Sequence, residues 1–107
     1  MSETWTEVGY AADVPMLEGR SVAFDGGRIA IFRLRDGWAA IDHSCPHADG
    51  PLADGIVADS CVTCPLHGHR YDLRTGLRQG DEGSVRTYEV RERDGMLELR
   101  VPVAVAG

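Results

Sequence analysis

The sequence predicts an all-β fold of short antiparallel strands, stacked as sheets on both sides of a loop-rich middle. Three observations predict it. Asp-Gly and Gly-Gly pairs recur between short apolar runs and supply the positive φ angles that tight hairpins need. The last run alternates, with Leu97, Leu99 and Val101 set against Glu98 and Arg100, as in a strand with one buried and one wet face. No window of a dozen residues keeps a helical period.

Taken in order, residues 13–19 suggest one helical turn, with Asp13 as its cap and Pro15 in the first turn. Asp25-Gly26-Gly27 then separates a strand at 21–24 from one at 29–32. Asp36-Gly37 separates that strand from another at 38–41. The stretch 43–76 is rich in Gly, Pro and Asp and reads as two loops with a short strand pair between them. Ile56 and Val57 are the candidates for one strand, Val62 and Thr63 for the other. Asp94-Gly95 closes a last hairpin between 85–90 and 96–101.

At 107 residues the chain is expected to form a single domain, 1–107, with loops at about 43–52 and 61–76. Its core is modest for that length, and a metal staple would help it. A composition of 43% hydrophobic and 26% charged residues is that of a globular chain and excludes intrinsic disorder. No apolar run approaches the roughly 18 residues of a membrane span. The polar, acidic start Met1-Ser2-Glu3-Thr4-Trp5 lacks the features of a secretory signal, so a cytoplasmic protein is expected. The net charge is −6, and all 11 basic residues are arginine. That balance argues against a nucleic acid or an anionic membrane as partner, and suits a basic patch on another protein.

Chemistry is concentrated in one stretch. All three cysteines and all four histidines fall between His43 and His69. An odd number of cysteines in a reducing compartment points to metal or catalysis rather than disulfides. The first loop offers Cys45-Pro46-His47 and the second Cys64-Pro65-Leu66-His67, with sixteen residues between His47 and Cys64. Two thiolates and two imidazoles suit zinc or an iron–sulfur centre far better than magnesium or calcium. Cys61 and Cys64, completed by His67 or His69, offer a rival tetrahedral zinc site. Otherwise Cys61 reads as a core filler, His43 and His69 as neighbours of the ligands or surface residues, and Trp5 and Trp38 as core or rim aromatics. Asp42, Asp49, Asp54 and Asp59 read as solvated loop residues or as a docking face. There is no nucleophile–base pair, phosphate-cradling loop or nicotinamide fingerprint, so no catalytic residue is assigned.

Cys-x-His and Cys-x-x-His at this separation, flanked by Pro65 and Gly68, resemble the signature of Rieske iron–sulfur proteins. The resemblance implies one [2Fe–2S] cluster per chain, held by Cys45 and Cys64 on one iron and by His47 and His67 on the other. It also implies the family's fold of stacked antiparallel sheets with two cluster-binding loops, and transfer of single electrons without bond-breaking. Within that family the stretch Gly50-Pro51-Leu52-Ala53-Asp54-Gly55-Ile56-Val57 is most similar to the small subunit of assimilatory NAD(P)H-dependent nitrite reductase. So are Tyr71-Asp72-Leu73-Arg74-Thr75-Gly76 and the closing hairpin. The implied partner is then a large flavin- and sirohaem-bearing subunit that reduces nitrite to ammonium in nitrate assimilation. The alternative is the ferredoxin component of an aromatic-ring dioxygenase, with a ferredoxin reductase and a ring-hydroxylating oxygenase as partners. A cluster-free interaction module of the same fold is a third class.

Neutral imidazoles in place of two thiolates leave such a cluster about two charges less negative, which raises its potential to roughly −150 to +300 mV. High-potential members tie their two loops with a disulfide, and the matching positions here are Gly50 and Leu66. Their serine donor to a bridging sulfide is replaced by His69, while their tyrosine donor has a counterpart in Tyr71. One donor lost and one kept places the expected midpoint in the lower half of the range. A redox titration is expected to give a value below about +100 mV; a clearly higher one would contradict this reading of the donors.

Overall fold

The run Ile29-Ala30-Ile31-Phe32 is apolar at every position, which a strand can carry only if both its faces are covered. The computed structural model, which describes residues 4–24, 27–43, 51–65, 68–78 and 85–101, places it in such a position. The run lies in β3 (Gly27–Leu34), flanked by β2 (Gly19–Phe24) and β4 (Gly37–Asp42). With β8 (Thr87–Tyr88) they make an antiparallel sheet of order β2-β3-β4-β8. A second sheet has the order β1 (Thr4–Tyr10), β10 (Met96–Val101), β9 (Val90–Arg93). The third runs β5 (Ile56–Ala58), β6 (Cys61–Thr63), β7 (Arg70–Asp72).

The β2-β3-β4-β8 sheet is the middle layer. Ala30, Phe32, Ala39 and Ile41 form one core with Leu52, Val57, Val62 and Tyr71 on the side of the third sheet. Ile29, Ile31 and Ala40 form the other with Leu97, Leu99, Ala11 and Val14. Ala30, Ile31, Phe32 and Ile41 are wholly buried. Each large side chain withdrawn in this way contributes about 1.5–3 kcal/mol relative to exposure. The all-β expectation therefore holds, and so do the strands expected at 21–24, 29–32, 38–41 and 96–101. The pairing of Ile56 and Val57 with Thr63 and Val62 is in the register Ile56↔Thr63, Val57↔Val62. Among the described residues no helix is long and apolar enough to cross a membrane.

Several local expectations differ from what is found. The strand expected at 85–90 is broken: Thr87 and Tyr88 pair with β4, whereas Val90 starts a strand paired to β10. The chain changes sheets at Glu89, whose carbonyl accepts the Arg100 N–H at 2.9 Å and whose side chain forms an ion pair with Arg100. The second hairpin turns at Arg35-Asp36, since Leu34 pairs with Gly37, one residue earlier than Asp36-Gly37 suggested. In place of the helical turn expected at 13–19 there is a 3-10 turn at Ala11–Asp13, so Asp13 ends it and Pro15 lies beyond it. From there a strap crosses β3, with the Leu17 N–H donating to the Arg33 carbonyl at 2.8 Å. The face of β10 expected to be wet is roofed over. Glu98 is only 9% exposed, because Arg91 donates to it at 2.7 Å while lying 4.0 Å above the Trp5 ring. The strands β1 and β7 were not anticipated.

Asp94 (φ 52°) and Gly95 (φ 81°) form the left-handed pair that their sequence announces. The turn between β5 and β6 has the same form without a glycine, with Asp59 at φ 53° and Ser60 at φ 61°. Serine pays for that conformation where aspartate tolerates it. The variant Ser60→Gly is expected to raise the unfolding free energy by about 0.5–1 kcal/mol. Urea denaturation checks this, and an unchanged or lower midpoint would show that the turn is unstrained.

Candidate functional site

The three-stranded β5-β6-β7 sheet positions both chemistry-bearing loops. The first loop leaves β4 and returns through a second 3-10 turn, Leu52–Asp54, into β5; the second joins β6 to β7. The register Ile56↔Thr63 and Thr63↔Arg70 sets the two loop mouths side by side, while the Asp59-Ser60 turn lies at the opposite end. Gly55 makes this close approach possible. A Cβ there would sit 2.4 Å from the Thr63 carbonyl oxygen and 2.7 Å from Val62 Cγ2. Any side chain would push β5 off β6.

Of the four expected ligands, Cys64 is described. Cys45, His47 and His67 lie outside the described residues, as do Asp49, Gly50 and Leu66. Cys64 is 1% exposed and shares a core with Leu52, Val62 and Tyr71. Its N–H donates to the His69 carbonyl at 2.7 Å, and its own carbonyl accepts the Gly68 N–H at 2.9 Å. The second loop is thus a tight turn that opens on a buried thiol and carries Pro65 and Gly68 exposed on its outside. Tyr71, fully buried on β7, belongs to the same core. Cys61 is buried in β6 as expected of a core residue, and His69 is half-buried. Among the described residues no three His, Cys, Asp or Glu side chains gather to hold a metal ion; His67, the other histidine offered to Cys61 and Cys64, lies outside them.

The base of the first loop is more elaborate than its spacing suggested. The His43 N–H donates to the Arg28 carbonyl at 3.3 Å, and the His43 carbonyl accepts the Leu52 N–H at 2.8 Å. Its imidazole Nδ1 accepts the Ala53 N–H at 3.4 Å. Burial, and secondarily the Arg28 guanidinium, hold this imidazole below the usual histidine range against the opposing charge of Asp54. Asp42 is not a solvated loop residue: its carboxylate accepts the Tyr88 hydroxyl at 2.7 Å and the Arg86 N–H at 3.0 Å. Asp54 is exposed beside the first loop, but Asp59 sits at the far end of its sheet, so these aspartates do not form one face. No local spacing could have revealed the Asp42–Tyr88 pair, which joins residues 46 apart.

The exit from β7 is shaped by Asp72. Its Oδ1 accepts the Arg74 N–H at 2.7 Å and the Thr75 N–H at 3.1 Å. These donors, the Arg74 amide foremost, hold its carboxyl below the ordinary aspartate value. The turn ends at Gly76 (φ 77°), where an added Cβ would lie 2.1 Å from the Val85 carbonyl oxygen. Trp38 is half-buried beneath Arg33 at 5.1 Å, a rim aromatic as expected.

The Rieske-like [2Fe–2S] domain family model matches residues 4–100. The chain is 40% identical over 75 residues to the anthranilate 1,2-dioxygenase ferredoxin subunit of Burkholderia cepacia, covering 68% of this chain and 69% of that protein. It is 32% identical over 96 residues to the methanesulfonate monooxygenase ferredoxin subunit of Methylosulfonomonas methylovora, covering 88% and 78%. Among solved structures it is similar to a Mycobacterium tuberculosis protein assigned as an NADH-dependent nitrite reductase small subunit. That likeness has a TM-score of 0.87 at 27% identity and covers 98% of this chain and 100% of that one.

Tyr88, which clamps the strand leading into the first loop, gives a pH test of this architecture. Burial first, and then the neighbouring Asp42 carboxylate, push its phenol up to about 12. A folded value above the unfolded value of about 10 means that its contribution is intact below pH 10 and lost as pH climbs towards 12. One tyrosine is therefore expected to ionise near pH 12 in an absorbance titration, together with loosening of the fold. Tyr88→Phe should abolish that step; its persistence would assign it to another residue.

Proposed function

The chain belongs to the Rieske-like [2Fe–2S] domain family, and from that premise we propose that it is the ferredoxin component of an oxygenase system, passing single electrons from a reductase to the oxygenase. One [2Fe–2S] cluster is its cofactor, and electron transfer its general role. The observation that carries the finer reading is sequence identity to two oxygenase ferredoxin subunits over more than two thirds of each.

The ligand set is Cys45, His47, Cys64 and His67. Cys64 fits it: a soft sulfur donor, 1% exposed, at the opening of a tight turn whose backbone is fixed at both ends. When bound, the cluster supplies reversible uptake of one electron at a potential set by its mixed ligands. The protein's part is arrangement. Leu52, Val62 and Tyr71 keep water from the inner side of Cys64, while the exposed outer side of the turn leaves a short path to a docked partner. Tyr71, buried in the core that holds Cys64, is the candidate donor to a ligand sulfur.

A second reading is favoured by the backbone match to the mycobacterial protein along its whole length. It is the reading the sequence motifs suggested: the small subunit of an NAD(P)H-dependent nitrite reductase, working with a flavin- and sirohaem-bearing subunit in nitrate assimilation. The shared fold supports both readings, and identity to the ferredoxin subunits tips the balance to the first.

Affinity purification of the protein from its host, followed by absorbance spectroscopy of its partners, separates them. The expected partners are a flavin reductase without sirohaem and an iron-containing oxygenase that this protein, once reduced, can re-reduce. A large partner with sirohaem bands, and electron delivery to nitrite, would replace the first reading with the second.

A further inference from the structure

A loop that supplies two ligands at Cys45 and His47 must have both its ends fixed, or the ligands wander with the chain between them. The structure shows what fixes them. His43, the last described residue before the loop, commits both backbone polar groups and one ring nitrogen to two separate segments. Its N–H reaches Arg28 at the start of β3, its carbonyl takes the Leu52 N–H, and its Nδ1 takes the Ala53 N–H. Leu52 and Ala53 are in turn buried, at 0% and 5% exposure, in the core shared with Cys64. A single residue thus ties the entry of the first loop to its exit, and ties the exit to the core behind the second loop.

We propose that His43 is the positioning residue of the first cluster loop, its Nδ1 acting as acceptor for the Ala53 amide so that the segment bearing Cys45 and His47 is closed at its neck. The proposal rests on the reading of Cys45 and His47 as ligands. An acceptor at Nδ1 requires the ring proton to sit on Nε2. The side chain's role is then defined by one atom, two bonds beyond Cβ. Asparagine places its Oδ1 at that same reach. Glutamine carries the same group one bond further out, where it cannot replace the acceptor. Closing a loop of this length also removes conformational freedom that the ligands would otherwise lose on binding metal.

The test compares His43→Asn, His43→Gln and His43→Ala in the full chain loaded with its cluster. Iron content, the EPR spectrum of the reduced state and the rate of iron loss to a chelator are measured for each. His43→Ala and His43→Gln are expected to lose iron about tenfold faster than the parent and to broaden the EPR lines. His43→Asn should stay within about twofold of the parent, while far-UV circular dichroism stays the same in all. Parent-like iron retention in His43→Gln and His43→Ala would overturn the proposal. So would a His43→Asn protein no better than His43→Gln, since the acceptor would then not be the operative atom. If His43→Ala does not fold, the asparagine–glutamine contrast decides alone. Cys45→Ala serves as the separate control. Full iron retention there would retire the ligand reading, whereas its loss together with parent-like His43 variants would retire only the positioning role.

Discussion

The middle sheet has no wet face. Ile29 and Ile31 point into one core and Ala30 and Phe32 into the other, so the chain must provide a layer on each side before β3 is stable. The β1-β10-β9 sheet covers one face, and the small β5-β6-β7 sheet covers the other. Strands of three residues, such as β5, β6 and β7, would not hold together in water by themselves. They persist because Val57, Val62 and Tyr71 are buried in one core with Phe32 and Ile41, in contact through that shared cluster. The loops that carry the thiols and imidazoles are therefore only as steady as that contact.

The parts of the molecule legible in the sequence were those written locally. Alternation and Asp-Gly turns disclosed most of the long strands, and the close spacing of Cys64 and His67 marked the second loop. Elements whose cause lies elsewhere in the chain were not legible. β1 carries Thr, Glu and Gly among its apolar residues and is a strand because β10 lies beside it. β7 is three residues next to a loop, defined by its pairing to β6. The break at Glu89 reflects a change of partner sheet, which no glycine or proline between 85 and 90 announces. Likewise Asp42 looked like one more loop carboxylate, because Tyr88 and Arg86 are distant in sequence.

Two kinds of information separate in the comparison with other proteins. The backbone is common to nitrite reductase small subunits and oxygenase ferredoxins, so it reports how a cluster is held and little about who receives the electron. The recipient is written in surface side chains. Here these are an acidic background broken by arginines such as Arg70 and Arg74 next to the second loop, both exposed. Evolution can revise such a surface without touching the layered interior, which is why a ferredoxin-like sequence and a reductase-subunit-like backbone coexist in one chain.

All the basic side chains being arginine has a consequence for proton bookkeeping. Arg33 and Arg91 lie over Trp38 and Trp5, and Arg100 is paired with Glu89. None of these guanidinium groups gives up its proton at any ordinary pH, and there is no lysine to do so near pH 10. The cysteines and histidines, in contrast, all lie between His43 and His69. A side-chain proton taken up or released when an electron arrives is therefore expected from the metal-binding stretch and not from the arginine-bearing surface, whose charge stays fixed.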